Sequence, residues 1–165
     1  MIEITRLSIE SFPSRRLIGK RFTNDDRNEQ GNFADQWHTW LDEKGCEPLL
    51  PLMLPGEAGA LLGFMRTDNG MFEYWIGRFC RVDAPVPHGY QMRELPPANV
   101  AVAYLCGPQN DRAIYAMHDD VIKYLLSHGY SVADKPFFFE RYVLPRFVEP
   151  DEKGNIVLDY GVAID

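Results

Sequence analysis

The sequence predicts an α+β fold made of two tandem copies of one strand–helix–strand–strand unit, related by pseudo-two-fold symmetry, with antiparallel sheets around a central cleft. Three observations predict it. Landmarks of the first half recur in the second at nearly one offset, which marks an internal duplication. Each half carries one stretch with apolar residues at helical spacing, followed by two strand-like runs. The most aromatic of those runs places a carboxylate between two rings on one face, which reads either as a ligand cleft or as a strand edge with the acid beside a structural arginine.

The duplication can be followed element by element. Glu10 and Pro13 match Glu94 and Pro97, in both cases 84 positions on. The two prolines kink strand-like segments at 10–22 and 94–106. The same offset lays Phe33, Trp37, Trp40 and Leu41 over Met117, Val121, Tyr124 and Leu125. These fall at i, i+4, i+7 and i+8, one face of an amphipathic helix. Gly45 and Gly129 take the left-handed position that ends a helix. Asn28 or Asn32 caps the first helix, and Asn110 or Asp111 the second. After the first helix come strands at 60–65 and 72–79, joined through Asp68, Asn69 and Gly70, a strong hairpin signal. After the second come strands at 137–143 and 156–164, with a turn at 150–154. Glu73 and Tyr74 align with Asp159 and Tyr160 at an offset of 86. Residues 1–165 therefore read as one domain, with repeat 1 at about 1–83 and repeat 2 at about 90–165. A proline-rich linker spans 84–92, and the proline-broken stretch 47–56 covers one edge of the cleft.

Composition narrows the function. At 45% hydrophobic and 13% aromatic, the chain can fill a core and still have rings for a pocket. The net charge of -7 and the lack of any Lys/Arg run argue against direct nucleic-acid binding and lean toward cationic partners. Cys46, Cys80 and Cys106 are odd in number and form no CxxC pair, so buried thiols are expected. The N-terminus is not a signal peptide and no apolar run reaches membrane length; a soluble, cytoplasmic protein is expected. His38, His88, His118 and His128 do not stand at metal-ligand spacing, so no metal is expected. His118 with Asp119 and Asp120 reads as a charged helix face. Gly56 to Gly63 lacks the Lys-Ser/Thr ending of a phosphate loop, and there is no GxSxG.

The strand at 136–142 carries the site. Alternation puts Phe138, Glu140 and Tyr142 on one face and Phe137, Phe139 and Arg141 on the other. Rings supply area and cation–π attraction, and the anion selects a positive guest. A desolvated carboxylate there is also raised in pKa, which suits a general base. Trp37 and Trp40 lie on the sheet-facing side of their helix and divide between core and cleft. Tyr74 and Trp75 point to opposite faces, so one of them sees a given pocket; Trp75 is the better cation platform. Tyr104 and Tyr160 are core rings or ligand contacts. Glu73 and Asp159, at matched positions, are expected to be solvated.

The duplicated unit, the Lys135-Pro136 step before Phe139, Glu140, Arg141 and Tyr142, and the terminal run from Leu158 to Ile164 resemble the GyrI-like small-molecule-binding domain of the SOUL/GyrI-like superfamily. That domain stands alone in bacterial toxin-protection proteins, and forms the effector-binding part of multidrug-sensing AraC- and MerR-type activators. The resemblance covers nearly the whole chain. It implies two repeats around an aromatic-lined cleft, with Glu140 facing cationic, lipophilic ligands and Tyr142 two positions on. It implies a stand-alone effector-binding or sequestering protein linked to transcription regulation or drug resistance; with no room for a helix-turn-helix, a partner chain would read the DNA. Some proteins of this family hydrolyse strained electrophilic toxins, which would make Glu140 a general base with Tyr142 steering water. Others protect gyrase, which implies a protein-interaction module restraining a topoisomerase-like partner. No cofactor is expected, and haem, seen in relatives of the fold, would show as colour. The oligomeric state is not legible.

Overall fold

Alternating apolar residues and two short amphipathic stretches build ten elements in the computed structural model, which describes residues 1–57 and 59–165. They are β1 (Glu3–Phe12), β2 (Arg15–Phe22), α1 (Ala34–Asp42), β3 (Leu61–Asp68) and β4 (Met71–Cys80). The same order returns as β5 (Gln91–Leu95), β6 (Ala98–Pro108), α2 (His118–Ser127), β7 (Phe137–Tyr142) and β8 (Asn155–Ile164). Every described strand pair is antiparallel, and the fold is α+β. Short 3-10 turns stand at Asn24–Asp26, Glu47–Leu52 and Arg112–Ala116. Among the described residues, no helix is long and apolar enough to cross a membrane.

The chain forms two compact units, residues 13–97 on the one hand, and 1–12 with 98–165 on the other. Their composition follows from strand pairing. β1 pairs with β6 rather than with β2, and β5 pairs with β2 rather than with β6. The proline steps expected to kink a strand are therefore where the chain passes from one unit into the other. A proline cannot donate to the ladder, so pairing stops beside it and a new partner takes over.

In the unit formed by 13–97, α1 covers one sheet face, and Ile18, Phe33, Trp40, Leu49, Tyr74, Ile76, Cys80 and Ala84 form the core between them. The hairpin from β3 to β4 turns at Asn69 (φ 50) and Gly70 (φ 77), both left-handed as an Asn-Gly turn requires. Several local expectations need correction. Leu41 is 48% exposed, because α1 ends a residue later and its buried stripe runs through Trp40. The left-handed residue after α1 is Lys44 (φ 55), not Gly45. Gly45 instead tucks beneath Trp40, where a Cβ would stand 2.7 Å from the indole. Neither helix has a side-chain N-cap: Phe33 and Met117 hold those positions. Asn32 still accepts the Ala34 N–H at 3.0 Å, and Asp111 caps the 3-10 turn by accepting the Ala113 N–H at 3.0 Å. The stretch 47–56 opens with a 3-10 turn that buries Leu49, and the linker 84–92 runs into β5.

In the other unit, α2 buries Val121 and Leu125 against the sheet, and Gly129 (φ 85) follows it as expected. Phe139 packs edge-on against Phe12 at 6.2 Å and lies over Gly161, where a Cβ would come within 2.3 Å of its ring.

The expectation that Glu73 and Asp159 are solvated is overturned: both are fully buried. Arginines make this possible. Glu73 accepts from Arg21 Nε at 2.5 Å, Arg66 Nε at 2.6 Å and Arg93 at 3.3 Å. Asp159 accepts from Arg141 Nε at 2.9 Å and Arg146 at 2.6 Å, and Arg141 also reaches both carboxylate oxygens of Glu10. Burial alone would raise the Glu73 acid, but its three arginine bonds outweigh it and hold the pKa at about 2. The matched repeat position thus encodes a buried charge cluster in each unit. Of the cysteines, Cys80 is buried, with burial pushing its thiol up to about 11, whereas Cys46 and Cys106 are half-buried.

Candidate ligand-binding site

Glu140 sits in the middle of β7, directly across from Tyr160 on β8. Side chains of opposed residues share a face, so Phe138, Glu140, Tyr142 and Tyr160 gather on one side of this sheet. Asp159, Arg141 and Phe139 point to the other. The head of α2 closes onto the first group. His118 Nδ1 and the Tyr160 hydroxyl lie 2.6 Å apart, and the His118 ring meets Phe138 edge-on at 4.8 Å. Tyr142 packs edge-on against Phe147 at 4.7 Å.

The electrostatics of this group differ from those of the buried carboxylates Glu73 and Asp159. Glu140 keeps some accessible surface, but its Oε2 is enclosed and accepts no hydrogen bond. Among the described residues no arginine or lysine forms an ion pair with it. Burial pushes the acid up to about 7, against the opposing pull of a hydrogen bond from Tyr142. The effect is mutual. The Tyr160 phenol is raised, chiefly by burial and then by the charges of Glu140 and Asp119. Tyr115, in the 3-10 turn ahead of α2, is raised by burial and by Glu140. A carboxyl group walled by rings, with no cation beside it, can hold a positive guest or take up a proton.

The remaining sequence-derived candidates are each held by their own surroundings. Tyr104 stands opposite Asp159, on the other face of the sheet, between the guanidinium groups of Arg6 and Arg146, each 5.3 Å from its ring centre. Trp37, Trp40 and Trp75 belong to the unit of residues 13–97. There Trp37 Nε1 donates to the Tyr74 hydroxyl at 2.8 Å, and Trp40 is a core residue packed edge-on against Tyr90 at 5.6 Å. Trp75 lies on the sheet face turned away from Tyr74 and is 1% exposed, so in this conformation it offers a ligand no ring surface. Phe33 stacks flat on Tyr74 at 4.2 Å.

Two members of the Glu140 group were not legible as such. His118 is not part of a merely charged helix face: its ring bonds Tyr160 across 42 residues of sequence. Its only sequence signal is position, since the first turn of a helix points its side chains back toward the preceding segment. Tyr115 lies in a 3-10 turn without periodicity and gives no such signal. Among the described residues, no three His, Cys, Asp or Glu side chains come together as a metal site would need.

Neither a protein-family model nor a curated protein matches the chain. Solved structures do resemble it. SAV2435 bound to tetraphenylphosphonium is similar with a TM-score of 0.74 at 16% identity, covering 98% of this chain and 94% of that one. A bacterial transcription regulation protein of Staphylococcus aureus MU50 gives a TM-score of 0.71 at 16% identity, covering 97% and 98%. The C-terminal domain of EcmrR gives 0.59 at 12% identity, covering 97% of each chain. At these identities the likeness establishes the fold.

Proposed function

We propose that this chain is a GyrI-like effector-binding domain, two repeats in one domain, that captures hydrophobic, cationic small molecules at Glu140. The observation that carries the reading is the enclosed carboxyl with an unpartnered oxygen, flanked by Phe138, Tyr142 and Tyr160. An acid buried without a cation costs stability unless a guest offsets it, and arginines pair with Glu73 and Asp159 while no arginine or lysine among the described residues pairs with Glu140. The similar fold of a protein bound to tetraphenylphosphonium supports a lipophilic cation as guest, and the similar fold of a transcription regulation protein supports a sensing or sequestering role. The test is a fluorescence titration with tetraphenylphosphonium and with neutral triphenylphosphine oxide, in the native chain and in Glu140→Gln. Saturable cation binding that weakens at least tenfold in the variant, with the neutral ligand unaffected, is expected. Equal cation binding in both proteins refutes Glu140 as the selecting group.

One observation favours a second reading on the same residues. With its pKa at about 7 and Tyr142 bonded to it, Glu140 meets the requirement for a general base near neutral pH. Hydrolysis of electrophilic small molecules would then appear as product formation that Glu140→Gln abolishes.

A further inference from the structure

Among the described residues no arginine or lysine forms an ion pair with the enclosed Glu140, and this has a consequence for how the site fills. Within its own unit the titratable groups that interact with it are phenols: Tyr142 on its own strand, Tyr160 on β8 and Tyr115 in the 3-10 turn. The charged groups of the neighbouring elements engage those phenols rather than the acid. His118 bonds Tyr160, Asp119 acts on Tyr160, and Arg112 acts on Tyr115. Asp159 and Glu73, by contrast, are stabilised by two and three guanidinium groups respectively. Without that, the inexpensive state of an enclosed carboxyl is the neutral acid.

We propose that a lipophilic cation enters this site in exchange for a proton: Glu140 waits as the neutral acid, and its O–H bond breaks as the cation arrives. The proton passes to the buffer and the electron pair stays on the carboxylate, so one positive charge replaces another and the site remains neutral throughout. The inference rests on Glu140 being the cation site, and it adds that ligand capture depends on pH. A cation that binds only the ionised form has its apparent affinity reduced by the fraction ionised. With a midpoint at about 7, affinity should rise about tenfold from pH 6 to pH 8 and then level off.

The experiment is isothermal titration of the full chain with tetraphenylphosphonium in phosphate and in bis-Tris at pH 6, and in borate and in Tris at pH 8.5, each a pair of buffers with very different heats of protonation. The difference in apparent enthalpy counts the protons released. Roughly one proton per cation is expected at pH 6 and almost none at pH 8.5. Triphenylphosphine oxide, being neutral, should release none. Glu140→Gln should remove the release, whereas Glu140→Asp, which keeps a titratable carboxyl, should retain it. Saturable cation binding with equal heats in both buffers and flat affinity across pH overturns the exchange while leaving the cation site standing. Release that persists in Glu140→Gln assigns the proton elsewhere and also overturns it. No saturable binding at any pH refutes the cation site itself, and the exchange with it.

Discussion

Glu140 on β7 and Met65 on β3 hold the same register position: each stands directly across from a tyrosine, Tyr160 and Tyr74 respectively. Both tyrosines are held by their helices, Tyr74 through Trp37 Nε1 and Tyr160 through His118 Nδ1. The duplicated framework thus carries an acid in one copy and a thioether in the other. Met65 packs against the apolar core of its unit, as a flexible side chain without charge can. One cation per chain is therefore expected, and calorimetric titration with tetraphenylphosphonium reads the number directly. A stoichiometry of two would contradict the asymmetry.

The raised acid makes stability fall with alkalinity. Between its ordinary 4.5 and its folded value of about 7, Glu140 binds its proton more firmly in the native state than in the unfolded one. Stability attributable to this group is therefore full below pH 4.5, declines as pH rises through about 7, and is flat above it. Glu140→Gln removes that loss. The variant should match the native chain at pH 4.5 and exceed it at pH 8.5, by at most on the order of 3 kcal/mol. Urea melts of both proteins at the two pH values provide the check.

Glu73 should behave in the opposite sense. Its folded pKa of about 2 lies below the ordinary value, so its contribution is present above pH 4.5 and lost as pH falls toward 2. Glu73→Gln leaves Arg21, Arg66 and Arg93 converging on a neutral amide. A loss of about 3 to 5 kcal/mol at pH 7 is expected, by analogy with other buried ion clusters broken from one side. The difference from the native chain should shrink in acid, as denaturant midpoints at pH 7 and pH 3 will show.

Tyr160→Phe and Trp37→Phe each delete one of the two matched hydroxyl bonds, at 2.6 Å and 2.8 Å. Each should cost about 1 kcal/mol of stability. Only Tyr160→Phe, next to Glu140, should also alter tetraphenylphosphonium affinity. A parallel change in Trp37→Phe would show that the two units do not divide the work in this way.

Gly161→Ala would drive a Cβ to within 2.3 Å of the Phe139 ring. Phe139 is wholly buried, so the ring cannot swing outward and the strand pair must adjust. A loss of about 1 to 3 kcal/mol in thermal or urea unfolding is expected, and an unchanged midpoint would mean that the pair has slack.

The sequence by itself determined the element order and where several elements begin. α1 and α2 start 84 residues apart, at Ala34 and His118, because the apolar spacing that makes each helix is local to it. Asn69 and Gly70 specified their own turn, since left-handed backbone is a property of those residues. Alternation alone placed Phe138, Glu140 and Tyr142 on one face. Only the tertiary structure decided that β1 leaves β2 to pair with β6, that Glu73 and Asp159 are buried, and that His118 reaches Tyr160. Strand partners far apart in sequence leave no local pattern. A carboxylate has the same local appearance whether solvent or three arginines surround it. What distinguishes Glu73 from Glu140 is the presence or absence of a neighbouring cation, and that is fixed by which strands fold side by side.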